Sequence, residues 1–387
     1  MPRDGPTQVA NHNGRMTGQR PGNSAVWLAL AYAVLVLYAS LYPFEGWRWP
    51  PGQTLWTLAA LPRSIYQDPF DVYSNLLGYL PLGALLGVAL YRPGAPPPVA
   101  LMLSVVIAAT LSYGCELLQH FVPRRVPALE DLGMNTGGAL LGALLGLGVQ
   151  GLGWVQRWHR LRERWFGNAG TPALGLLGLW PLGLLFPAPV PLGLGQVGER
   201  LREWAASWLE GVPWAEAAHA LLAQGPTTVA PLRPLAEVLI VALGLLAPCL
   251  VAYTAMAPGL RRVVVALGAL ALAALAMTAS TWLNFGPRHA LAWLTPLSGP
   301  GLMLGLLLAL LAALLPRRLV PGLGLVVLTG LVVGVAQAPA DPYFAQSLQA
   351  WEQGRFVRFH GLAQWIGWLW PYGAMGWLLS RLGARNG

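Results

Sequence analysis

The sequence predicts an all-α membrane protein, a polytopic bundle of about ten transmembrane helices with no β-sheet. Three observations predict it. Hydrophobic residues make up 55% of the 387 and charged residues only 10%, where a soluble domain carries about 25% charge. Mean hydropathy is +0.53. The apolar residues gather into runs near the ~20 residues that a helix needs to cross a bilayer, and short basic clusters separate the runs. The net charge of +9 does not indicate nucleic acid, because all 24 basic residues are Arg, dispersed in ones, twos and small clusters. Cys115 and Cys249 both sit inside apolar runs. That indicates buried packing, and neither a disulfide nor a thiolate metal site.

Along the chain, residues 1–24 are polar and Gly/Asn-rich and are expected to form a disordered tail. The first apolar run is long for a signal peptide and is read as an uncleaved span. Ten spans are expected: 25–42, 72–91, 99–121, 131–152, 171–189, 234–256, 262–284, 295–315, 319–337 and 359–380. Pro181 and Pro187 interrupt the fifth. Charge supports the count. With the N-terminus cytoplasmic, the inner segments hold 14 Arg against two acids, and the outer side holds 10 Arg and 13 acids. That is the positive-inside distribution, with both termini cytoplasmic. Four regions are expected: the cytoplasmic tail 1–24, a four-helix membrane domain 25–155, a basic cytoplasmic linker 156–170, and a six-helix domain 171–387 with an amphipathic external loop 190–233. In the linker, four Arg alternate with Trp154, Trp158 and Trp165. It reads as a topology anchor or as a grip on anionic headgroups. In the loop, Leu201, Trp204, Ala205, Trp208 and Leu209 share one face of the stretch Val197 to Leu209, as in a helix lying on a membrane surface.

Charged and polar residues at the edge of a bilayer are costly and usually functional. They converge on the outer side of the first four spans. Asp71 and Asn75 open the second, Glu116 and Gln119 close the third on one helical face, Arg124 and Arg125 follow in the turn, and Asp131 and Asn135 open the fourth. The Asp-x-x-x-Asn spacing occurs twice, and each time a small-residue run follows: Gly83 to Gly87, and Gly138 to Gly146. Each Asp starts a helix, where the dipole favours an anion, and the small residues let helices approach closely. Spans 1–2 and 3–4 thus read as a weak parallel repeat.

Three uses of this rim stand. It is an Arg–carboxylate network closing the bundle, a headgroup site with Arg124 and Arg125 as a cationic clamp, or an acid/base site on Glu116. No nucleophile–base pair, P-loop, dinucleotide fingerprint or metal-ligand spacing accompanies it, so no cofactor and no metal are expected. Later in the chain Asn284, Arg288, His289, Arg355, Arg358 and His360 read as anchors or headgroup contacts.

At these residues the first 150 positions resemble the VanZ-like family of bacterial membrane proteins. The matching pieces are Leu41-Tyr42-Pro43-Phe44, Asp71 to Asn75 with Pro81-Leu82-Gly83, Glu116 with Gln119, Pro123, Arg125, and Asp131 with Asn135, Thr136 and Gly138. The family usually has Gly where this chain has Arg124, and often an Asp where it has Ala128; Glu130 is the acid nearby. The resemblance implies a four-helix unit in the cytoplasmic membrane with its signature residues outside. It also implies a role of the glycopeptide-resistance-accessory type, since the family takes its name from an accessory protein of teicoplanin resistance. The expected function is therefore to bind or handle an envelope lipid or lipid-linked glycan at the external face. The expected partners are membrane lipids and no nucleic acid. An intramembrane acid/base enzyme and a transporter are the alternatives.

Overall fold

The computed structural model describes residues 23–42, 44, 46–63, 69–91, 96–123, 125–167, 170–223, 232–338 and 357–383. The expectations for the tail up to residue 22, for Arg124 and for Arg355 fall outside the described residues, as do the side chains of Arg358 and His360. Among the described residues the regular elements are helices, with no β-strand. They are α1 (Asn23–Leu41), α2 (Leu55–Ala59), α3 (Pro69–Leu90), α4 (Pro97–Gln119), α5 (Leu129–Gly151), α6 (Trp154–Phe166), α7 (Thr171–Gly183), α8 (Val197–Leu209), α9 (Glu216–Ala223), α10 (Pro234–Ala255), α11 (Leu260–Phe285), α12 (Ser298–Ala312), α13 (Val320–Ala336) and α14 (Val357–Gly383). Among the described residues five stretches are long and apolar enough to cross a membrane: Asp71–Leu90 in α3, and all of α4, α5, α10 and α11. Three shorter apolar helices, Ala25–Leu41, α12 and α13, fall below that length.

The chain divides into two compact units, Met1–Val155 and Gln156–Gly387. In the first, α3 and α5 share the closest seam. A Cβ added to Gly138, Gly142 or Gly146 would fall on the backbone of Leu76, Leu80 or Ala84, and one on Gly83 or Gly87 would meet Ala139 or Ala143. The paired numbers rise together, so the two helices run parallel. Tyr32 of α1 donates to the Gly78 carbonyl at 2.9 Å, and Gln119 at the end of α4 donates to the Ser40 carbonyl near the end of α1. Hence α1 and α4 finish at the end of the bundle where α3 and α5 begin. Without a hydrophobic drive between helices in lipid, backbone approach at small residues supplies the attraction, and the glycine spacing of α5 is built for it.

In the second unit α10 lies at the centre, against α7, α11, α12, α13 and α14. Every residue from Gly244 to Ala255 is buried, as expected of a helix apolar all round. Neighbouring α7 stops at Gly183 after 13 residues, short of the expected span to 189. The chain beyond it is irregular yet buried from Val190 to Gly195. Leu192 takes a left-handed φ of 62°, and its carbonyl comes 2.5 Å from where a Cβ on Gly244 would be. Only glycine on α10 allows that approach. Buried irregular backbone needs partners. Ser280 Oγ and Asn284 Nδ2 both donate to the Leu185 carbonyl at 2.9 Å, the Gly195 N–H donates to Gly367 O at 3.1 Å, and the Tyr372 hydroxyl donates to Gly195 O.

Candidate functional site

The polar residues of the first unit meet where two helices end and two begin. A helix leaves its last carbonyls and first amides unsatisfied. Here side chains from other elements satisfy them. Arg125 turns back to α1: its Nε donates to the Tyr42 carbonyl at 3.1 Å, and its Nη2 to Tyr42 O at 2.6 Å and Ala39 O at 3.1 Å. Gln119 adds a bond to Ser40 O at 3.3 Å. Both thus serve the negative end of the α1 dipole. Glu116 serves a positive end. Its Oε2 accepts the N–H of Ala128, the residue before the first turn of α5, at 2.9 Å. Ala128 has no side chain able to cap that helix, so the carboxylate of α4 stands in for one.

Glu116 is only 3% exposed. It lies one turn from the C-terminus of its own helix, an unfavourable place for an anion. The α5 N-terminus compensates, and Arg125 and Asp131 lie within electrostatic reach. The hydrogen bonds described for Arg125 and Gln119 go to carbonyls at the end of α1, and that of Glu116 to the amide that opens α5. A guanidinium fork matches several carbonyls at once, and a carboxylate suits amides.

Deeper in the bundle, Asn135 Nδ2 donates to Ser112 Oγ at 2.9 Å. Asn135 Oδ1 is buried with no hydrogen-bond partner among the described residues, and so is the Tyr79 hydroxyl. That hydroxyl stands beside Ser112 and Cys115 without meeting hydrogen-bond geometry to either. Cys115 is a free, buried thiol. Asp131, half-buried, lies in the first turn of α5 and Asp71, exposed, in that of α3. Because these helices are parallel, both acids lie at the site end. Asn75 is half-buried, and among the described residues neither it nor Asp71 joins the hydrogen-bonded cluster. His120 meets the Glu116 backbone carbonyl at 3.1 Å through Nδ1. In the second unit Asn284 is buried against backbone carbonyls, while Arg288 and His289 are exposed.

Sequence reasoning passed over the strap that crosses this end, residues 46–63. Its Arg48 N–H donates to Phe121 O at 3.0 Å, and Leu129 N–H donates to Pro62 O at 2.9 Å. Trp49 packs edge-on against Phe121 at 5.5 Å, and Tyr113 donates to Ala59 O at 2.8 Å. The strap leaves Trp47, Trp49 and Trp56 exposed, with the side chains of Arg48 and Arg63. The signal was present: Trp47-Arg48-Trp49 directly after the first apolar run is an interfacial pattern.

This fold and this site define a class: a helical membrane protein with a polar cluster at one end of its N-terminal bundle. Residues 23–150 match the family model described as VanZ/LLP1, so the N-terminal unit is similar to that family from α1 almost to the end of α5. No curated protein and no solved structure matches the chain.

Proposed function

We propose that the protein is a cell-envelope membrane protein that binds a lipid or lipid-linked glycan at the strap end of its N-terminal unit. In this reading that end faces outward from a bacterial cytoplasmic membrane, the chain crosses about ten times, and both termini are cytoplasmic. The observation that carries it is the strap. Three exposed tryptophans and two exposed arginines sit over a polar cluster whose own groups are largely engaged. Aromatic rings suit the headgroup level of a bilayer, and Arg pairs with phosphate as a fork. Glu116, Gln119, Arg125 and Asn135 then act as the frame. Arg48, Arg63, Asp71 and the half-buried Asp131 make the contacts.

The test is equilibrium binding of a polyprenyl-phosphate-linked glycan, and of the same glycan without its lipid, to the purified full chain. Arg48→Gln with Arg63→Gln is expected to weaken binding of the lipid-linked form about thirtyfold with the fold intact, each lost charge contact contributing on the order of 1 kcal/mol. Binding equal to wild type would end this reading.

A second reading, an acid/base site on Glu116, is favoured by the buried Tyr79 hydroxyl within its electrostatic reach, which has no hydrogen-bond partner among the described residues. Glu116→Gln keeps an acceptor for the Ala128 amide. It is therefore expected to retain the fold, with melting unchanged in detergent, whereas Glu116→Ala strands that amide and costs about 1–3 kcal/mol. Loss of a function in the folded Gln variant would point to proton transfer. Loss only in the Ala variant would point to capping.

A further inference from the structure

Helix α6 carries a second pattern, unrelated to the strap. Its residues Trp154, Trp158, Leu161 and Trp165 recur at three- and four-residue steps, so they share one face. Arg157, Arg160 and Arg164 form a row along one flank, Arg162 lies on the other, and the single acid, Glu163, points away from the tryptophan face. No residue of α6 is buried. Trp154, Trp158 and Leu161 are exposed, Val155, His159 and Arg162 are half-buried, and Trp165 and Phe166 in the last turn pack partly against the core of the second unit.

Position fixes the setting. α6 begins three residues after α5, a membrane-crossing helix, and the break falls at Gly153, whose φ is 69°. Its other end is held by Arg261, in the first turn of a second membrane-crossing helix, α11; Arg261 Nη1 donates to the Arg164 carbonyl at 2.6 Å. A helix tied in this way to the first turn of a membrane-crossing helix of its own unit is placed for its exposed tryptophans to lie at the level of the headgroups. Its flanking arginines are placed to reach phosphates on either side of the sunken face.

We infer that α6 is a binding site for anionic phospholipid, in which the Trp154/Trp158/Leu161 face enters the acyl boundary and Arg157, Arg160, Arg162 and Arg164 hold headgroup phosphates. Four arginines against one glutamate give a strong charge match, and a neutral layer would leave those charges without counterions. This inference is independent of the strap site, which involves other residues.

The experiment uses the purified full chain in a neutral detergent, with phosphatidylglycerol or phosphatidylcholine added and retained lipids counted by native mass spectrometry. Phosphatidylglycerol is expected to be retained at least tenfold over phosphatidylcholine at low salt. The margin shrinks as salt rises, because the charges are exposed. The triple variant Arg157→Gln, Arg160→Gln, Arg164→Gln is expected to bring the two lipids close to parity, and the corresponding triple Lys variant to keep most of the preference. Equal retention of both lipids by the wild type overturns the inference. So does an undiminished preference in the Gln variant, or displacement of lipid by inorganic phosphate at matched ionic strength. Should the Gln variant fail to fold, the salt series on the wild type decides: a preference that does not fall with salt overturns it.

Discussion

Arg262 repeats in the second unit what Arg125 does in the first. It is fully buried, and among the described residues its guanidinium partners are backbone carbonyls. Its Nη2 donates to Tyr253 O at 3.0 Å and Met256 O at 2.7 Å, and its Nη1 to Leu315 O at 2.7 Å. These carbonyls end α10 and follow α12, so one guanidinium serves two helix C-termini. Its planar group also lies 5.1 Å from the Tyr253 ring centroid. Burying a charge is tolerable only where bonds replace water, and two converging helix dipoles supply much of the counter-charge. The same logic makes Arg125 a measurable element. Arg125→Ala leaves carbonyls of Ala39 and Tyr42 without their donor and is expected to cost about 2–3 kcal/mol, since hydrogen bonds to charged groups contribute at the upper end of the range. Arg125→Lys should recover less than half, because an ammonium lacks the fork. Equilibrium unfolding in mixed micelles gives both values; a loss below about 0.5 kcal/mol for the Ala variant would be that of an ordinary surface position.

At the scale of elements, the seam between α3 and α5 discriminates among glycines that the sequence presents as alike. Gly142 faces the Leu80 carbonyl, while Gly148, in the same run, has open space where a Cβ would be. Gly142→Ala must push two backbones apart. It is expected to destabilise the bundle by about 1–3 kcal/mol, the range for overpacking. Gly148→Ala is expected to be neutral or to gain up to about 1 kcal/mol from helix propensity. Thermal unfolding of the two variants side by side checks the contrast, and equal effects would contradict the seam. Helix type and the repeated small residues of α3 and α5 were legible in the sequence, because apolar length and residue spacing are local signals; that the two runs face each other is a finding of the structure. What Arg125 and Gln119 would bond was not. Their partners are carbonyls at least 79 positions away, and a carbonyl has no sequence signature. The strap escaped for a related reason: its bonds to the helices of the bundle are made by backbone groups and by Tyr113, with no periodicity to reveal them.

For the whole molecule, expectation and structure part chiefly in the second unit. Composition predicted a helix from 171 to 189, but α7 ends at Gly183. The apolar content of the following segment is explained by burial within protein. Hydropathy cannot tell a residue that meets lipid from one that meets α10. The segment from Val190 to Gly195 has a further consequence, for the order of synthesis. Two of its partners, Gly367 and Tyr372, lie on α14, which is synthesised long after the segment itself. At ordinary translation rates the wait is roughly 10–40 seconds. For that time the nascent segment has polar backbone and no final shelter, so the insertion machinery has to hold it. A chain stopped after Ala338 never receives that shelter and is expected to be cleared by membrane proteases. Pulse–chase labelling would show it vanishing within minutes while the full chain persists; equal lifetimes would mean that the earlier helices suffice to protect it.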